Sequence, residues 1–119
     1  MQYLLLIYTS EAEGSAQTPE ARGSMMAEYG AFTQGIIASG HYKNGNALQS
    51  VATATSVRVR NGKTVLTDGP FAETREQLGG YYLIEAQDLD AATAIAARIP
   101  GARHGTVEVR PVWSMPAAA

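Results

Sequence analysis

Two strand-length runs, residues 1–8 and 80–86, carry large apolar side chains at consecutive positions rather than at alternate ones. In an extended chain successive side chains point to opposite faces. Tyr3, Leu5 and Ile7 therefore point one way, and Leu4, Leu6 and Tyr8 the other; Tyr81 and Leu83 likewise oppose Tyr82 and Ile84. Strands of this kind need cover on both sides. At about 25 cal/mol per Å2 of apolar surface, leaving several such side chains wet forgoes several kcal/mol. If helices cover only one face of the sheet, a second copy of the chain is the economical cover for the other.

The remaining chain supplies two helices and a hairpin. Residues 11–17 are small and polar and read as a loop. Thr18-Pro19-Glu20 is a helix start, since Thr18 can cap and Pro19 fits the first helical position, where no amide hydrogen is needed. Met25, Tyr29, Phe32 and Ile36 then recur at helical steps, and Gly40 closes the helix. A weaker strand over residues 41–48 is interrupted by Asn44-Gly45-Asn46. Residues 56–60 and 63–67 flank Asn61-Gly62, a strong hairpin signal because both turn residues accept positive φ. Asp88-Leu89-Asp90 starts a second helix with Leu89, Ala92, Ile95, Ala96 and Ile99 on one side, and Pro100-Gly101 stops it. The last strand covers residues 106–113. The order predicts an α+β fold, a ferredoxin-like split β-α-β with an inserted hairpin, in one domain over residues 1–113. Residues 114–119 read as a frayed tail.

Composition narrows the function classes. The 119 residues carry a net charge of −2 with nine dispersed Lys and Arg, so no basic stripe points to nucleic acid. The absence of cysteine excludes disulfides, thiolate nucleophiles and Cys-based metal sites. Two histidines far apart in the chain carry no metal-ligand spacing, and no metal or cofactor is expected. The N-terminal apolar run, about six residues long, is too short for a signal-peptide core or a membrane span. A cytoplasmic protein without membrane contact is the expectation.

One long motif remains, Asp68-Gly69-Pro70-Phe71-Ala72-Glu73-Thr74-Arg75-Glu76-Gln77-Leu78-Gly79-Gly80-Tyr81-Tyr82-Leu83-Ile84-Glu85. With the opening Met1-Gln2-Tyr3-Leu4-Leu5-Leu6-Ile7-Tyr8 and the closing Ala102-Arg103-His104-Gly105-Thr106-Val107-Glu108-Val109-Arg110-Pro111, it resembles the YCII-related proteins of the DGPF type over nearly the whole chain. The resemblance implies a dimeric α/β barrel, in which two sheets of a homodimer enclose a cavity. Some members of the wider superfamily resemble dehydrochlorinase-type enzymes with a His-Asp pair whose histidine lies early in the first helix. Here the helix over residues 19–39 contains no histidine. Genes of the DGPF type tend to neighbour alternative sigma factors, which implies a regulatory role as the other reading.

Each candidate side chain has two readings. Asp68 is either a turn carboxylate or a proton acceptor at a cavity mouth. His104 either sits favourably near a helix C-terminus or acts as general acid or base beside Asp68; His41 is a weaker version of the same choice. Glu108 and Arg110 share a strand face and either bind a polar ligand or guard a sheet edge. Glu73, Arg75 and Glu76 read as a solvated charged segment. Phe71 and Tyr82, with Tyr29 and Tyr81, either line an aromatic cavity wall or fill the core. Two functions follow: a cofactor-independent enzyme (lyase, isomerase or dehydrochlorinase-like) acting on a small metabolite in the dimer cavity, or a non-catalytic ligand-binding or regulatory module linked to sigma-factor-dependent transcription.

Overall fold

The computed structural model describes residues 1–114; of the tail expected over residues 114–119, all but the first lie outside the described part. The chain runs β1 (Gln2–Thr9), α1 (Glu11–Ser15), α2 (Pro19–Ala38), β2 (Tyr42–Ala47), β3 (Thr55–Arg60), β4 (Lys63–Asp68), β5 (Gln77–Glu85), α3 (Leu89–Ala96) and β6 (Thr106–Pro111). Four strands form an antiparallel sheet in the order β2-β5-β1-β6. This is the ferredoxin-like arrangement. β5, which ends the long motif, lies on one side of β1, and β6 lies on the other.

Local signals explain most boundaries. Thr18 Oγ1 accepts the Ala21 N–H and opens α2 with Pro19 in its first turn. Asp88 caps α3 in the same way through the Ala91 N–H. Residues 11–17 are not the loop expected of them. Ser10 Oγ accepts the Glu13 N–H, Glu11 and Glu13 lie in the first turn, and a short helix, α1, forms. The Asn44-Gly45-Asn46 interruption proves to be part of an edge strand with an irregular register between Tyr42 and Asn44.

Alternation along the strands divides the sheet cleanly. Tyr3, Leu5, Ile7, Tyr82 and Ile84 are buried under the helices with Phe32 and Ile36 of α2 and Ala92, Ile95 and Ala96 of α3. Leu5, Ile36, Ile84 and Ile99 are the largest wholly buried side chains. Leu89 departs from the expected buried side: at the first position of α3 it is 51 % exposed. The other sheet face presents Leu4, Leu6, Tyr8, Tyr81 and Leu83, all half-buried and covered by no helix. The sheet stays open at β2 and β6, so no barrel closes within one chain.

The hairpin is separate from this sheet. β3 and β4 pair only with each other, register Arg60 opposite Lys63, around Asn61 and Gly62 at φ 52° and 74°. Those two positive values are the turn that the Asn-Gly dipeptide predicts. Among the described residues neither strand packs substantially on another element. Gly62→Val should therefore destabilise the hairpin by about 1 kcal/mol or more. Because the hairpin opens locally, the loss should appear as faster amide exchange of Val57 to Val65 rather than as a lower global melting temperature. Unchanged exchange there would contradict the turn.

Candidate functional site

The helix-covered side of the sheet is incompletely filled. Between α2 and the β2–β5 edge lies a cleft of about 570 Å3, within the range of small-molecule sites. Its floor is Tyr82 and Gly80 of β5 with Ile7 of β1, and its helical wall is Met25, Met26, Tyr29 and Thr33. Tyr42, Asn46 and Tyr81 close the sheet edge, and Arg22 is the one cation in the lining. The lining holds no Asp, Glu or His.

The phenols are held by specific bonds. Phe32 meets Tyr82 edge-on at 5.2 Å between ring centroids, and Tyr42 meets it at 6.4 Å, both favourable aromatic geometries. Thr33 Oγ1 donates its only hydrogen to the Tyr29 carbonyl oxygen at 2.8 Å. The 2.7 Å bond between Thr33 Oγ1 and Tyr82 Oη is therefore donated by Tyr82. Tyr29 Oη accepts the Gly101 N–H at 3.1 Å from the 3-10 turn Pro100–Arg103. Among the described residues no acceptor takes its own hydrogen.

Burial pushes the Tyr29 phenol above its ordinary value; the Gly101 hydrogen bond and the nearby Arg103 charge oppose the shift without cancelling it. Tyr29 is thus a protonated donor at neutral pH and no base. A group raised in the folded state favours folding at pH below its unfolded value, about 10 for tyrosine, and that contribution is lost as pH rises through the folded value. Phenolate absorbance should show one tyrosine titrating above the ordinary range, and Tyr29→Phe should remove that component. If it stays, the donor assignment fails.

The other sheet face holds a second, shallower groove of about 550 Å3, where Tyr8, Thr106 and Glu108 meet Thr74, Arg75 and Glu76. Thr106 Oγ1 donates to Glu76 Oε1 at 3.0 Å, joining the long motif to the start of β6. Arg110 and Glu108 stand 3.6 Å apart on this face. Beside them in the register lie Leu4 and Leu6 of β1. They belong to the open sheet face and line no part of the cleft.

The other sequence candidates are scattered. Asp68 ends β4 opposite Thr55, is exposed, and leads into Gly69 at φ 101°. His104 is exposed at the end of the Pro100–Arg103 turn. Among the described residues no ion pair within 4.0 Å and no hydrogen bond joins the two. His41 Nδ1 instead bonds Ser39 Oγ at 2.6 Å beyond the end of α2. Phe71 is 84 % exposed and lines neither cavity. Of the proposed aromatic wall, Tyr29 and Tyr82 come together; Tyr81, on the other sheet face, meets the cleft only at the sheet edge, and Phe71 does not line it. Sequence reasoning missed Arg22, Met26 and Thr33; the only available signal was their position on the helix beside Met25 and Tyr29.

The sequence is similar to known proteins over nearly its whole length. An uncharacterised protein of Rhizobium meliloti (strain 1021) is 35% identical over 114 residues, covering 94% of this chain and 92% of its own length. The sequence pattern of the YCII-related domain matches residues 1–116. With its motif, its four-stranded antiparallel sheet and this match taken together, the chain belongs to the YCII-related family.

Proposed function

We propose that the protein is a small-molecule-binding domain working as a homodimer, whose ligand is a compact cyclic or aromatic anion held in the cleft between α2 and the β2–β5 edge. The observation that carries this reading is the lining: apolar and aromatic walls, one cation at Arg22, and a protonated Tyr29 donor. Such a site binds and orients an anion. General acid–base work needs a group that takes up a proton near neutral pH, and the cleft supplies none. Binding without catalysis is therefore the better reading of the cleft.

Calorimetric titration with small aromatic carboxylates and their neutral amides tests it. Carboxylates should bind and amides should not. Tyr29→Phe should weaken binding by about three- to tenfold, the worth of one hydrogen bond. Arg22→Ala should weaken it by a similar or larger factor. Equal binding of acids and amides, or no binding by either, would overturn the reading.

The homodimer follows from the half-buried row Leu4, Leu6, Tyr81 and Leu83, which a second sheet would cover. Two such faces stacked would make the dimeric α/β barrel. In it Glu108 and Arg110 would face the space between subunits, where the cofactor-independent enzyme reading would place its substrate. What favours that second reading is the Thr106–Glu76 bond, which ties the long motif to this face. Since Asp68 and His104 share no bond within one chain, it requires the second copy to bring one to the other. Light scattering at micromolar concentration should give about twice the chain mass. A monomer would remove the barrel and the enclosed space together.

A further inference from the structure

We infer that the β3–β4 hairpin is a reciprocal arm, each copy laying the Val57–Val59–Leu66 face of its own arm against the body of a second copy. This rests on the homodimer part of the proposed function and goes beyond it by assigning the arm a separate share of the interface.

Residues directly opposite in an antiparallel pair lie on the same face. Val57 is opposite Leu66 and Val59 opposite Thr64, so one face of the ribbon is aliphatic. Arg60 is opposite Lys63 and Arg58 opposite Val65, so the other face is basic. Val57, Val59 and Leu66 are 60 %, 61 % and 66 % exposed, and among the described residues no other element packs substantially on the ribbon. A two-stranded ribbon alone in water is marginally stable at best.

Shape and charge both point to a second copy as the cover. The radius of gyration is 16.6 Å, against about 13.5 Å for a compact chain of this length. The chain is thus more extended than a compact domain, and among the described residues the arm packs substantially on no other element. The strand pair carries three cations and one carboxylate, so of the chain's net −2 it holds +2 and the remainder holds −4. Arm and remainder thus carry opposite net charge, which steers the encounter of one copy's arm with another copy's body, while the aliphatic face makes the contact. A two-fold arrangement uses both arms at once.

Sedimentation of the full chain and three variants tests this. The wild type should be dimeric, with a dissociation constant that rises with salt. Val57→Asp with Leu66→Asp should raise that constant by about a hundredfold, the scale of an interface hot spot. Its circular dichroism and melting should stay those of the folded core, since both sites are exposed. Arg58→Glu with Lys63→Glu should weaken the dimer at low salt and leave it unchanged at high salt. An arm variant that dimerises as tightly as the wild type overturns the arm. If it does so while Leu6→Asp dissociates, the sheet-face dimer stands and the arm alone falls. A monomeric wild type defeats both. So does a monomer whose arm instead binds phosphatidylserine vesicles or duplex DNA, with a different occupant then established.

Discussion

Ile36→Ala should lower the unfolding free energy by about 2–5 kcal/mol, the range for removing a large aliphatic side chain from a packed core. Ile36 is wholly buried and shares the core with Leu5, Ile84 and Ile99. It lies one turn beyond Phe32, whose ring holds Tyr82 edge-on. The alanine leaves a void between α2 and the sheet, which helix and strand close only partly. The second consequence concerns the cleft, since its helical wall is the same helix. A loosened α2 no longer sets Tyr29 and Arg22 against Tyr82, and ligand affinity should fall with stability. Urea unfolding followed by circular dichroism measures the first effect. A lower midpoint with an unchanged slope is the signature of lost stability without altered compactness. A loss below about 1 kcal/mol would mean that the core does not rest on this contact.

Gly105→Ala should be comparably severe, at about 3 kcal/mol, although it adds a single carbon. A methyl on Gly105 would sit inside the van der Waals shell of the Tyr8 carbonyl oxygen and against Thr9. Backbone cannot turn aside as a side chain can. The strand start must therefore move, breaking the Gly105 N–H bond to the Gly101 carbonyl oxygen at 2.8 Å or the β1–β6 register at Tyr8 and Thr106. Overpacking without rotamer relief lies at the upper end of its usual range. The groove at Thr106 and Glu108 would be displaced with it. A variant as stable as the parent would show that the last strand approaches the first less closely than described.

The elements were legible wherever local chemistry decides. Thr18-Pro19 and Asp88 announce helix starts because their side chains satisfy amide hydrogens that the helix leaves free. Asn61-Gly62 announces its turn because both residues tolerate positive φ. The short helix α1 escaped notice because five residues give no hydrophobic period to read. Helical periodicity puts Leu89 on the apolar side of α3, but at the first position of the helix it is exposed.

The candidate site was less legible. Tyr29 and Tyr82 were visible as aromatics, yet nothing in one dimension says that a phenol 53 positions from another closes the same cleft. Asp68 and His104 are candidates by residue type alone, and type does not bring two exposed side chains together.

From sequence alone, the two-faced strands, their order and the family motif determined the α+β sheet, the helices over one of its faces and the need for cover on the other. These depend on alternation, capping and turn conformation, all acting within a few residues. Only the tertiary structure decided that the hairpin stands apart as an amphipathic ribbon, that the cleft runs between α2 and the sheet edge, and that its lining lacks a carboxylate or imidazole. Those outcomes depend on which distant surfaces meet when the core packs, since a pocket's chemistry is set by the side chains that packing leaves facing it.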